Sequence, residues 1–295
     1  MTMNIGLVGL GMMGSAFANN LIRQGHRVFG FDIEPDRNRW LSGHGGIALS
    51  CATEVAETTE FIITSLPSDE ALLEVLDGTQ GLLARPRTGQ IIIETSTLSL
   101  KAKEQARDIT NSKAVTMLDC PVSGTSAQAV QRDLAIYASG NANALEKCHD
   151  LFRAIARSVH FVGPFGNGTR MKFIANLLVA IHNLSAAEAF VLGQKSGLDP
   201  KQVYEVIKDG AGTSRMFEVR GPMMAEKRYD EPTMRVDLWQ KDMRLISEYV
   251  RAVDCPTPLF LASAPYYTAA QAAGWGNKDT ASVCAILERL GNLEN

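Results

Sequence analysis

From Asn4 to Phe161 the chain alternates short apolar runs with amphipathic stretches. The runs Asn4–Val8, Arg27–Phe31, Phe61–Ser65, Gln90–Glu94, Thr116–Asp119, Leu134–Ser139 and Ser158–Phe161 predict strands. Several are dense in Ile, Val and Phe, the texture of strands buried on both faces. Between them, Ser15–Gln24, Asp69–Leu76 and Leu100–Asn111 carry apolar residues at helical spacing. This strand–helix alternation predicts an α/β unit with a doubly wound, mainly parallel sheet.

The texture changes after Gly163. The stretch Gly163–Gly168 holds three glycines and a proline, a dense turn signal. Thr169–Lys195 then runs without proline and with Gly193 as its one glycine. It predicts one long helix, apolar on nearly all sides and therefore largely buried. Further helices are predicted at Pro200–Lys208, Gly221–Lys227, Val236–Ala252, Pro258–Ala273 and Asp279–Leu290. Asp199–Pro200 has the form of a helix start, a capping acid followed by proline in the first turn. No strand is predicted beyond Phe161, so the second part reads as all-α. The expected division is residues 1–163 and 164–295, joined by a long interdomain helix at about 169–195.

Composition fits this picture: 295 residues, 45% hydrophobic and 21% charged, are ordinary values for a folded chain of two domains. Twenty-nine Lys and Arg against 32 Asp and Glu give a formal net charge of −3. The basic residues are scattered, so no footprint for a nucleic acid or an anionic membrane surface is expected. The five cysteines, Cys51, Cys120, Cys148, Cys255 and Cys284, form no Cys-x-x-Cys pair. Neither a metal site nor dithiol chemistry is expected, and a reduced cytoplasmic compartment fits best. The stretch Phe173–Leu184 is the longest apolar one, broken by Asn176, His182 and Asn183, and too short to span a bilayer. Ser15–Ala18 faintly resembles a secretory cleavage site, but no basic residue precedes the apolar run.

The glycine spacing explains those letters better. Gly9-x-Gly11-x-x-Gly14 follows the first predicted strand and opens the first predicted helix. In a dinucleotide fingerprint the first glycine permits a tight turn, the second lets backbone approach a pyrophosphate, and the third lets helix pack on strand. The helix N-terminus offers unpaired N–H groups to the anion. The next strand ends in Asp32, 18 residues beyond Gly14, where a carboxylate accepts from adenosine ribose hydroxyls. Strand, glycines, helix, strand and acid together predict a Rossmann-type domain, with Gly9, Leu10, Gly11, Met12, Met13, Gly14 and Asp32 on the cofactor. A carboxylate at Asp32 repels a 2′-phosphate, which favours NAD; Arg37 and Arg39 nearby keep NADP use open. The bland alternative is a structural glycine turn.

Lys172 and Asn176 stand four apart on the long predicted helix and share a face, to which Asn183 returns. Polar groups on a buried helix need partners, because leaving them unpaired costs a few kcal/mol. From the helix alone, a hydrogen-bond network between helices or a solvent-exposed edge explains the stripe equally well.

With these residues in place, the whole chain resembles the β-hydroxyacid dehydrogenase family of 3-hydroxyisobutyrate, tartronate semialdehyde and threonate-type enzymes. Four motifs in family order carry the resemblance: Gly9 to Gly14, Asp119-Cys-Pro-Val-Ser123-Gly124-Thr125, Gly163-x-x-Gly166-x-Gly168-x-x-x-Lys172-x-x-x-Asn176, and Lys241-Asp242-Met-Arg-Leu245. It implies an NAD(P)-dependent oxidoreductase that interconverts a small 3-hydroxy acid and its oxo form. Lys172 then exchanges a proton with the substrate oxygen while hydride moves to or from nicotinamide C4. A charged lysine donates to the developing alkoxide in reduction; in oxidation it must be neutral, a state that burial favours. The resemblance further implies Asn176 orienting substrate or lysine, and Ser123, Gly124 and Thr125 presenting donors to the substrate carboxylate. Leu66, Pro67, Ser96, Thr97 and Lys241 would stand beside the cofactor, and the assembly would be a homodimer or homotetramer.

Two departures matter. Thr125 stands where the 3-hydroxyisobutyrate branch has a second glycine, which narrows the pocket and adds a hydroxyl suited to a more polar acid. Asp209–Phe217 resembles a substrate-facing loop of threonate-type members, in which Arg215 either clamps an acidic or hydroxylated group or serves as a helix cap or contact residue. Two other readings stay open: an imine reductase-like enzyme, a class that generally lacks the lysine, and an NAD-binding protein without chemistry.

Overall fold

The first apolar run forms β1 (Asn4–Val8), and its Ile5 and Leu7 are fully buried. The computed structural model describes Thr2 to Leu293. After β1 come α1 (Met12–Arg23), β2 (Arg27–Phe31), α2 (Pro35–Gly43), β3 (Ile47–Ala48), α3 (Ala52–Thr58), β4 (Phe61–Thr64), α4 (Asp69–Asp77), β5 (Ile91–Glu94), α5 (Leu100–Ser112) and β6 (Thr116–Asp119). The six strands make one parallel sheet in the order β3-β2-β1-β4-β5-β6. Alternate residues of the central strands face opposite ways. Ile5, Leu7, Ile63, Ile91 and Ile93 pack with Phe17, Leu21 and Phe152 on one side. Val8, Ile62 and Ile92 pack with Val55, Leu72 and Leu76 on the other. Burial on both faces is why these strands read as unbroken apolar runs. The strand order reverses between β1 and β4, and open sheets of this kind bind ligands at the carboxyl edge of that switch point.

The chain continues through β7 (Val122–Ser123), α6 (Ser126–Val130), β8 (Ala135–Ala138), α7 (Ala142–Lys147), α8 (His149–Ile155) and β9 (Ser158–Phe161). Here β7 runs antiparallel to β8 and β8 parallel to β9, in a separate three-stranded sheet. The last two predicted strands therefore do not extend the main sheet. Pro121, which has no N–H to donate to a ladder, follows β6 closely, and Asp119 exchanges backbone hydrogen bonds of 3.0 and 2.9 Å with Ser139 instead. That bridge starts the second sheet from the end of the first.

The remaining elements are α9 (Asn167–Lys195), α10 (Pro200–Ile207), α11 (Arg215–Ala225), α12 (Val236–Ala252), α13 (Pro258–Ala272), a 3₁₀ turn (Thr280–Ser282) and α14 (Val283–Leu290). The chain divides into two compact units inside α9, between Lys172 and Phe173. In the second unit Phe173, Phe190, Phe217, Trp239, Phe260 and Tyr267 build the core, with Phe190 and Phe217 stacked at 5.4 Å. Helix α9 differs from expectation in two ways. It is 29 residues long with a mean hydropathy of 1.5 in its most apolar window, enough by length and composition to cross a membrane. It is not buried all round either: Phe173, Ala180, Ala187 and Phe190 are covered, while Ile174, Leu178 and Leu192 are exposed. Its buried face belongs to the second unit's core.

Helix α11 begins six residues before the predicted Gly221, at Arg215, with Ser214 accepting from Phe217 N at 3.1 Å as its cap. Gly221–Pro222 looks like a helix start in sequence but lies inside the helix. Pro222 cannot donate to Glu218 O, and the Tyr204 hydroxyl donates to that carbonyl at 3.2 Å instead.

At the end of β1, Gly9 takes φ +89, and its N–H donates to Phe31 O at 3.0 Å. A side chain at Gly14 would fall well inside contact distance of Gly9 O, so α1 lies directly on this turn. Gly14→Ala is therefore expected to cost about 1–3 kcal/mol in a urea melt. Gly43, at which an added methyl meets nothing within 4 Å, supplies the control: Gly43→Ala in α2 stays neutral or gains up to about 1 kcal/mol. Equal losses at both positions would contradict this packing.

Candidate functional site

The strands of the main sheet end together, and their carboxyl ends carry most of the residues singled out from the sequence. After β1 comes the loop Gly9–Gly11, and Gly11 is the N-cap of α1 without any side-chain cap. No acidic residue occupies the first turn of α1, whose N-terminus carries the positive end of the helix dipole. An added methyl at Gly11 would meet only Arg37 Nη1, at 3.8 Å, which leaves the backbone open to close approach. Leu10 is buried, Met13 half-buried and Met12 exposed. Directly after β2, buried Asp32 accepts from Leu10 N at 2.6 Å and from Glu34 N at 2.9 Å. It also pairs with Arg37 at 3.2 Å. Open glycine backbone, an uncapped helix start and a fixed carboxylate suit a dinucleotide: pyrophosphate on the helix, ribose hydroxyls on Asp32. Arg39 pairs with Asp36 instead.

Beyond β4 and β5 stand the two turns Leu66–Pro67 and Ser96–Thr97. Ser96 is buried, and its hydroxyl accepts from Leu66 N at 2.7 Å, so one turn holds the other. Beneath them lies a group that the sequence reading missed. Lys103 of α5 is fully buried with Glu94 and Asp119, and its Nζ reaches Glu94 Oε2 at 2.6 Å, Asp119 Oδ1 at 2.8 Å and Ser96 O at 2.7 Å. Glu94 Oε1 in turn accepts from Ser96 N at 2.9 Å. Burial by itself lowers a lysine pKa, but the Asp119 and Glu94 carboxylates outweigh it and push that of Lys103 up. A raised value keeps the ammonium charged, and its pairing intact, throughout the neutral range. The pairing weakens only when pH rises past the raised value. A signal was present: Lys103 shares a face of α5 with buried Ala106 and Thr110, where a cation has no business without a counter-charge.

Asp119 also fixes the start of α9. It accepts from Thr169 N and from the Thr169 hydroxyl, both at 2.8 Å, while Gly168 N donates to Ser139 Oγ at 2.9 Å. A side chain at Gly168 would collide with Asp119 O and Tyr137 O, which accounts for the glycine just ahead of the lysine. Lys172 follows within one turn and is buried, 9% exposed. In the substrate motif Ser123 is half-buried and Gly124 exposed. Thr125 is the N-cap of α6: its Oγ1 accepts from Gln128 N at 3.3 Å while Thr125 N donates to Gln128 Oε1 at 3.0 Å. The Thr125 hydroxyl, expected from the sequence to suit a more polar acid, takes part in a capping box.

The second unit holds the remaining residues. Buried Asn176 donates to Asp242 Oδ2 at 2.8 Å, and Lys241 Nζ lies 3.8 Å from Asp242 Oδ1. Asp242 therefore serves both, a role that its place beside Lys241 in the motif only hinted at. Asn183 is part of a helix network: it donates to Tyr267 Oη at 3.0 Å and Thr280 O at 2.9 Å. Arg215 lies in the first turn of α11, exposed, and pairs with Glu218 at 3.1 Å. Residues of the same stretch, Gly210, Gly212, Thr213 and Ser214, line a cavity of about 520 Å³ together with His182 and Ser185 of α9. Among the described residues no group of three or more His, Cys, Asp or Glu side chains is placed to hold a metal.

Residues 4–163 match the family model of the NAD binding domain of 6-phosphogluconate dehydrogenase. Residues 166–287 match that of the NAD-binding domain of NADP-dependent 3-hydroxyisobutyrate dehydrogenase. L-threonate dehydrogenase of Cupriavidus necator is 32% identical over 97% of this chain and 96% of its own length. The 2-hydroxy-3-oxopropionate reductase of Escherichia coli is 29% identical over 98% and 99%. The structure of Mycobacterium tuberculosis 3-hydroxyisobutyrate dehydrogenase with L-serine superposes with a TM-score of 0.88 at 28% identity, covering 97% of this chain and 99% of that one. The protein belongs to the β-hydroxyacid dehydrogenase family and is an NAD(P)-dependent oxidoreductase acting on CH–OH groups.

Proposed function

We propose that this enzyme interconverts a short, polar 3-hydroxy acid, of the threonate or 2-hydroxy-3-oxopropionate kind, with its oxo form, and that Lys172 is the proton-transfer residue. The observation that carries the reading is the placement of Lys172. It is a buried lysine one turn into a helix whose start is hydrogen-bonded to Asp119, at the same sheet edge as the glycine loop. A bound nicotinamide supplies the two-electron chemistry by accepting or giving a hydride. In oxidation, neutral Lys172 takes the proton of the substrate hydroxyl as the C–H bond breaks; in reduction, charged Lys172 returns it to the carbonyl oxygen. Its positive charge also stabilises the alkoxide that develops between these states.

Around it, Ser123 and Gly124 offer hydroxyl and backbone donors for the substrate carboxylate. Thr125 contributes through the backbone, its hydroxyl being committed to the cap. In the second unit Asn176 is the substrate-orienting amide, with its side chain fixed by Asp242, and Lys241 is assigned to the cofactor. Gly9, Leu10, Gly11, Met12, Met13 and Gly14 receive the pyrophosphate, Asp32 the ribose, and Leu66, Pro67, Ser96 and Thr97 the nicotinamide half. NAD is preferred because both Asp32 oxygens, held by backbone N–H groups, repel a 2′-phosphate; Arg37, paired with Asp32, is the residue through which NADP gains what foothold it has. The exposed Ile174, Leu178 and Leu192 on α9 support assembly as a homodimer or homotetramer.

Three outcomes check this reading. Lys172→Met lowers kcat by about 10²–10⁴-fold, the usual yield of a positioned acid or base, with NAD affinity by fluorescence titration nearly intact. A matching loss of NAD binding would make Lys172 structural instead. In the unaltered enzyme, kcat/KM for oxidation rises with pH and that for reduction falls, because one direction needs the base and the other its conjugate acid; parallel profiles in the two directions would remove Lys172 from proton transfer. Asp32→Ser raises the ratio of NADP to NAD kcat/KM by about tenfold or more, and Arg37→Ala lowers it. An unchanged ratio in the Asp32 variant would overturn the cofactor assignment.

A further inference from the structure

We propose that Lys103, through its buried pairing with Glu94 and Asp119, is a positioning residue that holds the cofactor-side turns and the start of the Lys172 helix in one fixed register; this rests on the reading of Lys172 given above. The Lys103 ammonium donates to Asp119 Oδ1 and Ser96 O and forms an ion pair with Glu94 Oε2. Every other hydrogen bond of the two carboxylates goes to a residue of the proposed site or its supports. Glu94 takes Ser96 N, and the Ser96 hydroxyl then holds Leu66 N. Asp119 takes Thr169 N, the Thr169 hydroxyl and the Ser139 hydroxyl, and Ser139 receives Gly168 N. One ammonium thus connects β5, α5, β6 and α9 at the sheet edge where the glycine loop opens.

Stability alone does not explain such a group. Removing three ions from water costs several kcal/mol each before pairing, and well-packed apolar residues often hold a core as firmly. What an ion network supplies that a hydrophobic cluster does not is direction, because each bond has a defined length and angle. Hydride and proton transfer need that precision, since a displacement of about 1 Å at a reacting atom can cost about 100-fold in rate. The ammonium's compact three-donor geometry also excludes arginine from the same place.

The experiment compares Lys103→Met, Thr169→Val, Thr169→Ser and Lys172→Met with the unaltered enzyme, turning over a hydroxy acid with NAD. Thr169→Val keeps the buried ions but cuts the hydroxyl link to the helix. It lowers kcat by about tenfold and raises the primary deuterium isotope effect on kcat, with the unfolding midpoint little changed; Thr169→Ser restores both within about threefold. Lys103→Met lowers kcat per folded molecule by about 30-fold or more and weakens NAD binding, and its unfolding midpoint falls because two buried carboxylates lose their counter-charge. A Lys103→Met protein that keeps its kcat per folded molecule, or a Thr169→Val protein with unchanged kcat and isotope effect, overturns the proposal. Should Lys103→Met fail to fold, the Thr169 pair decides it. If Lys172→Met retains full activity, the functional reading has failed and the proposal falls with it; if Lys172→Met is inactive and the other variants are normal, only the positioning role is wrong.

Discussion

A lysine ammonium sealed among two carboxylates is a demanding thing to build into a protein, and the first unit is arranged around satisfying it. Glu94 ends β5, Asp119 ends β6 and Lys103 rises from the helix between them, all fully buried. None of the three tolerates the loss of a partner, since an uncompensated buried charge costs several kcal/mol. The demand propagates outward: Ser96 and Leu66 are held from one carboxylate, Thr169 from the other. The ends of β5 and β6 are tied to one another at the edge where an open α/β sheet binds its ligand. The dinucleotide-binding layout thus rests on a charged floor as well as on its glycines.

The second unit solves a different problem with similar means. Helix α9 is apolar enough to need burial yet carries Asn176 and Asn183 on covered positions. Asn183 is absorbed into the core by Tyr267 and Thr280, an ordinary structural bond set. Asn176 is held by Asp242, whose other oxygen faces Lys241. Two asparagines that look equivalent in a helical pattern therefore part ways: one is consumed by the core, and the other belongs to a small charged chain of the kind that fixes a side chain for use.

Much of this was legible in sequence, and the parts that were not have physical reasons. The buried strands, the glycine turn, Asp32 and the long helix follow from local periodicity and local steric demands, which a sequence displays directly. The short β3 and β7 carry too few residues for a pattern, and the second sheet depends on a bridge between Asp119 and Ser139, twenty residues apart. The onset of α11 was hidden by Gly221–Pro222, because the hydroxyl that makes an internal proline tolerable comes from Tyr204 on another helix. Thr125 suggested a pocket hydroxyl, but Gln128, three positions on, completes a capping box that the sequence displays equally well. Lys103 was passed over because its partners lie on two strands, and a lone lysine among helix residues looks like solvated surface until those strands are placed.

The most direct test of the central role of this buried network is native-state hydrogen exchange in the unaltered protein. Amides of turns and helix starts usually exchange through local opening, at far lower free energy than those of central strands. If the ion network governs the sheet edge, the amides of Leu66, Ser96, Gly168 and Thr169 exchange only with global unfolding, alongside those of Ile62 and Ile92. Exchange at these four positions orders of magnitude faster than in the strands would show that the edge opens independently of its buried charges, and would contradict the account.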